Sequence, residues 1–89
     1  MNSKERAQLR AAANTIETIL QIGKGGIVEN VVTQADDALE ARELIKGCVL
    51  ETGPISAGEA ASILSEKTDS EIVQVIGRRF VLYRKKKDK

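Results

Sequence analysis

The spacing of apolar and polar residues predicts helices and strands that alternate along the chain. Near the N-terminus, Ser3 can cap a first helix of about ten residues that ends at Asn14 or Thr15. The segment IETILQI (16–22) alternates in polarity and is rich in β-branched residues, which predicts a strand. After a run of glycines, apolar residues recur at helical spacing from Val28 to Leu39, so a second, amphipathic helix is expected there.

The next segments repeat this alternation. ELIKGCVLE (43–51) is mostly apolar and predicts a strand in the middle of the sheet. Gly53 and Pro54 break the chain. Ser56 and Glu59 then fit a capping box at the start of a third helix, whose apolar face includes Ala60, Ala61, Ile63 and Leu64.

The last apolar segment, EIVQVIGRRFVLYR (71–84), predicts a β-hairpin. A two-residue turn at Gly77 and Arg78, with glycine first, suits type II′ geometry and pairs Val75 with Phe80 and Val73 with Leu82. The predicted order is α-β-α-β-α-β-β. Because strand–helix–strand units give parallel pairs and a hairpin gives an antiparallel one, we expect a two-layer α/β fold with a four-stranded mixed sheet.

Composition limits the function classes. The chain has 89 residues, which suits one domain over 1–89, and its basic end (85–89) is expected to be frayed. No apolar run is long enough to span a bilayer and the N-terminus has no signal-peptide pattern, so a cytoplasmic protein without a membrane partner is expected. With no histidine and only Cys48, zinc sites and most nucleophile–base pairs are excluded. Carboxylates are plentiful, so counting alone does not exclude a paired-carboxylate hydrolase, but none has a recognisable catalytic spacing. We therefore expect no enzymatic function, no cofactor and no small-molecule substrate.

Charge is unevenly distributed along the chain. The net charge of +1 divides into +2 over residues 1–28, −7 over 29–71 and +6 over 72–89. Such segregation favours a basic surface that meets a polyanion and an acidic surface turned away from it. A basic tail that only aids solubility would produce the same distribution.

The glycine segment Gly23-Lys24-Gly25-Gly26 lies between a predicted strand and a predicted helix. It matches neither the nucleotide P-loop nor the dinucleotide fingerprint, which leaves a G-x-x-G turn of the kind that clamps nucleic acid backbones. Glycines let a phosphodiester approach the backbone, the helix N-terminus offers free amides, and Lys24 adds a positive charge. The same spacing also suits a turn that only requires glycine, and the residues alone do not separate these two interpretations.

Other cations are candidates for the same surface. Arg78 and Arg79 lie at the predicted hairpin tip, where they could contact phosphate or remain solvated. Lys46 interrupts an apolar strand, where it could either snorkel to the end of the sheet or face an open binding surface, and the second interpretation is favoured. Cys48 is expected to be a small buried residue.

Three motifs together resemble a known family. The segments LQIGKGGI, ELIKG and VQVIGRRFVLYRKK, in this order and spacing, resemble the CRM domain (chloroplast RNA splicing and ribosome maturation), and in particular its small stand-alone bacterial members. The resemblance covers about residues 4–85. It implies a fold similar to the C-terminal domain of translation initiation factor three, a KH-like loop, and a role in assembling the large ribosomal subunit.

The resemblance also implies which residues meet RNA. The family loop corresponds to Gly23, Lys24, Gly25 and Gly26, the basic strand position to Lys46, and the basic hairpin to Arg78, Arg79 and Arg84. Two departures stand out: AANTIET lacks a proline expected before the first strand, and Gly47 and Cys48 occupy positions where bulkier or basic residues are common.

The sequence therefore predicts a monomeric, non-enzymatic protein that binds structured ribosomal RNA of the large subunit or its precursor. Two alternatives stay open. The third helix followed by a basic hairpin superficially resembles a winged-helix DNA-binding protein. The acidic face of the second helix, with Asp36, Asp37 and Glu40, could instead form a protein-interaction module.

Overall fold

The structure, a computed structural model, describes residues 2–51 and 53–85. In these ranges the elements follow the predicted order: α1 (Ser3–Ala13), β1 (Leu20–Ile22), α2 (Glu29–Arg42), β2 (Leu44–Val49), α3 (Ala57–Thr68), β3 (Glu71–Ile76) and β4 (Arg79–Tyr83). Of the basic end predicted to fray, 85–89, all but Lys85 lies outside the described residues. In the described part of the chain, no helix combines the length and apolar character needed to cross a bilayer.

The four strands form one mixed sheet in the order β1-β2-β4-β3. β1 pairs parallel with β2, because the α2 crossover returns the chain in the same direction. β4 pairs antiparallel with both β2 and β3. The predicted mixed α/β fold and the central position of β2 are confirmed.

Helices cover both faces of this sheet, to different extents. α2 and α3 pack on one face and enclose the larger core, which includes Leu20, Ile22, Ala35, Leu39, Ile45, Ala60, Ala61, Leu64, Phe80 and Leu82. α1 packs on part of the other face, where Ala13 meets Val73 and Val81. The fold therefore has a partial third layer, formed by α1, in addition to the two layers that were expected. By covering Val73 and Val81, α1 keeps these two valines from contact with water.

A β-bulge changes the predicted register of the hairpin. Val75 pairs with Phe80 as predicted, but the register shifts between Ile72 and Gln74, and Leu82 pairs with Ile72. The predicted Val73–Leu82 pair is therefore wrong. Val73 is the additional residue, and it packs with Ala13 under α1 instead of joining the larger core.

The predicted caps of α1 and α3 and the predicted hairpin turn agree with the structure to within one residue. The N-cap of α1 is Asn2, whose side chain accepts a hydrogen bond from the Glu5 amide (2.8 Å), and not Ser3 as predicted. The capping residue of α3 is Ser56 as predicted, since the Glu59 amide donates to its Oγ (3.1 Å). Gly77 has φ +57° and Arg78 a negative φ, the sign pattern of a type II′ turn.

Candidate nucleic-acid interface

The glycine segment forms a tight turn between β1 and α2. The Gly26 amide donates to the Gly23 carbonyl (3.0 Å), which places Lys24 and Gly25 at the exposed corner. Within residues 2–51 and 53–85, the amides of Lys24 and Gly25 donate to no protein acceptor. The corner therefore presents two backbone donors and one ammonium group to the solvent.

The glycines of this turn serve different purposes. Gly26 is buried, has φ +69°, and a Cβ there would lie 3.2 Å from Pro54 Cγ. It is required for the path of the chain. Gly23 and Gly25 have neither a left-handed φ nor a close contact, since a Cβ would meet Leu50 Cδ1 at 3.6 Å and Val28 Cγ1 at 3.8 Å respectively. Gly25 therefore keeps the corner free of side chains without being required by the fold.

The N-terminus of α2 follows the corner without a side-chain cap. Its N-cap residue is Val28, whose carbonyl accepts from the amides of Val31 and Val32. In the described residues the Glu29 and Asn30 amides have no protein acceptor. Together with the positive end of the helix dipole, these amides can bind an anion beside Lys24.

The sheet topology brings the hairpin tip to the same end as this turn. β1 and β2 are parallel, so both end there, and the Leu50 amide donates to the Ile22 carbonyl (2.8 Å). β4 runs antiparallel to β2 and begins there, with Arg79 opposite Cys48. We name this region, which contains residues 23–26, 50–51 and 76–79, the loop end of the sheet.

Both hairpin arginines lie at the loop end and are exposed. Arg78 is 61% exposed and forms an ion pair with Glu51 (Nη1–Oε1 3.2 Å), which is itself 83% exposed. A pair this exposed contributes little energy and can rearrange around a ligand. Arg79 lies on the sheet face that α2 and α3 leave uncovered.

Lys46 lies on that same face, in β2, where its cross-strand partner is Val81. It is half-buried, and its Nζ donates to the Ala13 carbonyl at the end of α1 (3.4 Å). Cys48, expected to be buried, is partly exposed beside Arg79. Lys46 therefore lies on the sheet face that α2 and α3 leave uncovered, as the prediction of an open surface requires. Its amine is nevertheless hydrogen-bonded to the last residue of α1.

Arg84 is placed differently from the other predicted cations. It follows β4 at the opposite end of the sheet, which we name the far end, and its side chain is only 18% exposed. Its guanidinium donates to Asp36 Oδ1 (2.6 Å), to the Thr68 carbonyl (2.8 Å) and to Glu40 Oε2 (3.2 Å). These contacts join the end of β4 to α2 and α3, so the Arg84 guanidinium is occupied within the protein.

Exposed aliphatic side chains at the loop end were not recognised in the sequence. Among the described residues, the exposed large hydrophobic side chains are Leu50 and Ile76 at the loop end, and Val28 and Val75, which lie within two residues of it in the chain. Val28 was placed on the apolar face of the second helix, where burial is expected, yet it is 46% exposed. Only the strand order brings Leu50 and Ile76, which are far apart in sequence, to the same end of the sheet.

Metal binding has no support in the described part of the chain. Within residues 2–51 and 53–85, no group of three or more acidic, histidine or cysteine side chains is placed to hold a metal ion. The chemistry available at the loop end is that of amides, three cations and aliphatic surface.

The fold and the loop end together define a class: small α/β domains in which a glycine turn leads from a strand into an uncapped helix N-terminus. Residues 1–84 match the CRS1 / YhbY (CRM) domain, and the chain belongs to this family. The resemblance noted in the sequence is thereby confirmed.

Relatives of similar length agree with this assignment. The chain is 39% identical over 88 residues to a Bacillus subtilis protein named "Probable RNA-binding protein YqeI", covering 99% of this chain and 92% of the relative. It is 27% identical to a Haemophilus influenzae protein named "RNA-binding protein", covering 94% and 85%. The solution structure of a hypothetical protein from Staphylococcus aureus superposes with a TM-score of 0.82 at 50% identity, covering 99% and 92%.

Proposed function

We propose that this protein binds RNA without catalysing a reaction, and that the loop end of the sheet is its contact surface. The observation that carries the proposal is the convergence of the glycine turn, the α2 N-terminus and the hairpin arginines at one end of the sheet. Membership of the CRS1 / YhbY (CRM) family and the names of the relatives support RNA as the polyanion.

Each part of the surface has a distinct role in this proposal. The amides of Lys24 and Gly25 and the α2 N-terminus bind phosphate oxygens, which positions the backbone without reading bases. Lys24, Arg78 and Arg79 add charge around it, and Lys46 extends the charge onto the open sheet face. Affinity should therefore fall steeply as salt displaces these contacts.

We further propose that the RNA is ribosomal and belongs to the large subunit or its precursor, with the protein acting in the cytoplasm as a monomer. The ribosomal part of this statement rests on the resemblance to stand-alone family members. Crosslinking in cells, sequencing of the attached RNA and sucrose-gradient fractionation test it. Crosslinks spread over messenger RNAs, with no protein in the large-subunit precursor fractions, would contradict the ribosomal assignment and leave RNA binding intact.

The contact surface itself is tested by a double variant. Lys24→Ala with Gly25→Asp removes the ammonium group and places a carboxylate where phosphate would bind, so RNA affinity should fall about tenfold or more. Lys67→Asp is the matched control, because it changes the net charge equally on an exposed part of α3 near the far end. Filter binding measures affinity and circular dichroism checks the fold.

Equal RNA affinity in the folded double variant and the wild type would refute the role of the turn. Equal losses in the double variant and in Lys67→Asp would mean that net charge alone decides binding.

The structure favours neither of the alternatives considered from sequence. The four-stranded mixed sheet with a parallel β1–β2 pair has no counterpart in the helix-and-wing interpretation. On the acidic face of α2, Asp36 and Glu40 are bound by Arg84, which leaves that face less available to a partner.

A further inference from the structure

A cleft lies on the sheet face that α2 and α3 leave uncovered, between the end of α1 and the hairpin. Its volume is about 360 Å³, at the lower limit of the range usual for small-molecule sites. Ala13 and Val81 are its buried apolar lining residues, and Ile76, which is 63% exposed, borders it. The apolar surface open to a small planar group is therefore mainly that of Ile76, with the nearly inaccessible Ala13 and Val81 behind it.

The charge of the cleft selects an anionic ligand. Among the described residues that line it, the charged ones are Lys46, Arg78 and Arg79, and none is a carboxylate. One of these cations, Arg78, pairs with Glu51 at the exposed tip. By contrast, the depression at the far end mixes acids with bases, since Glu5, Asp69 and Glu71 lie there with Arg84 and Lys85.

Two side-chain amides also line the cleft. Asn14 follows α1 and Gln74 lies on β3 opposite Val81. Within residues 2–51 and 53–85 neither carboxamide makes a hydrogen bond to another protein group. A carboxamide donates and accepts in one plane, which suits the edge of a nucleobase, adenine N6 and N7 above all.

The cleft and the glycine turn lie close enough to share one RNA strand. β1 and β4 are separated only by β2, so the end of β1, where the turn begins, lies about 10 Å from the start of β4 across the sheet. Leu50, beside Gly23, lies between them and is exposed. A strand held at the turn can pass over this end of the sheet and reach the uncovered face.

We propose that this cleft holds one unpaired nucleotide of the RNA bound at the glycine turn, and that Gln74 and Asn14 select its base. The base lies against Ile76, while Lys46 and Arg79 neutralise the adjoining phosphate. This inference rests on the proposed function and adds to it: the turn supplies affinity without sequence choice, and the cleft supplies sequence choice at one position.

Selection from a pool of randomised single-stranded RNA, followed by sequencing, tests the inference. The wild type should enrich one base, with adenine expected, at one position of the bound sequences. Gln74→Ala should reduce that enrichment about tenfold, because a lost bidentate contact removes the discrimination. Total affinity for the unselected pool should fall less than about threefold, since phosphate contacts remain.

Matched variants separate base selection from folding and charge. Gln34→Ala removes the same group from the exposed surface of α2 and should leave the enrichment unchanged. Asn14→Ala tests the second amide at an exposed position that follows α1, in case Gln74→Ala disturbs the nearby bulge. Thermal melting confirms that each variant is folded.

The possible failures are distinguishable. A wild type that binds the pool but enriches no base, or a folded Asn14→Ala Gln74→Ala protein that keeps the preference, overturns base selection and leaves the proposed function intact. A wild type that binds no RNA overturns the proposed function itself.

Discussion

Arg78 and Arg84 belong to the same basic hairpin, yet they lie at opposite ends of the sheet in different surroundings. β2 has six residues, so these ends are about 17 Å apart at about 3.3 Å per residue. Arg84 is 18% exposed and donates to groups on α2 and α3. Arg78 is 61% exposed, and its ion-pair partner Glu51 is more exposed still.

The difference shows that a cation's place in the fold decides what it can do. At the far end, acids of α2 and the Thr68 carbonyl at the end of α3 converge on one guanidinium, which makes it a structural connection. At the loop end, the strand order gathers cations with few internal partners beside unused amides. We expect substitutions at the far end to change stability, and those at the loop end to change RNA binding.

The largest expected effect comes from the middle of the sheet, between the two ends. A Cβ at Gly47 would lie 2.5 Å from Phe80 Cζ, and the ring belongs to the larger core. Gly47→Val should therefore lower the free energy of unfolding by about 3 kcal/mol. Urea denaturation measures the loss. Gly58→Val is the control, because Gly58 is exposed in α3 and a Cβ there would meet its nearest neighbour, Ser56 Oγ, at 3.9 Å, so no steric overlap is expected.

Next in size is the far end itself. Arg84→Ala leaves Asp36 and the Thr68 carbonyl without their donor and should lower the free energy of unfolding by about 2 kcal/mol. RNA affinity, measured below the melting transition, should change less than about twofold. Arg84→Lys keeps the charge but not the fork of donors, so partial recovery is expected. A large loss of affinity in stable Arg84→Lys would place this residue in the interface after all.

A smaller effect is expected at the hairpin tip. Arg78→Ala with Arg79→Ala removes two exposed cations and should lower RNA affinity about tenfold, equal to about 1.4 kcal/mol of binding free energy. The free energy of unfolding should change by less than about 0.5 kcal/mol, since neither side chain is buried. If the double variant lost as much free energy of unfolding as Arg84→Ala, the two ends of the sheet would not differ in their contribution to stability.

The smallest effect is a change in salt dependence. If Lys24 neutralises one phosphate, Lys24→Ala should flatten the slope of log affinity against log salt concentration by about 0.7–0.9. Lys67→Ala should leave the slope unchanged, because that lysine lies near the far end on α3. Titrations at several salt concentrations measure both, and equal flattening in the two variants would contradict a local contact at the turn.

Local patterns predicted the types and order of the elements well. The glycine turn, the Ser56 cap and the Gly77-Arg78 turn depend on residues close together in the chain, and each lies where it was predicted. The Val73–Leu82 pair failed because a bulge adds a residue to one strand while leaving its polarity pattern nearly unchanged. The covering of Val73 and Val81 by α1 likewise depends on packing between distant segments.

The sequence by itself determined a mixed α/β domain with a bare glycine corner before an amphipathic helix, since periodicity and turn chemistry act over a few residues. Only the tertiary structure decided which cations meet that corner. The order β1-β2-β4-β3 brings Arg78 and Arg79 beside it, opens the cleft with Gln74 and Asn14, and carries Arg84 to the acids of α2. These placements follow from strand pairing between remote segments, whose free energy comes from burial of the shared core and not from any local signal.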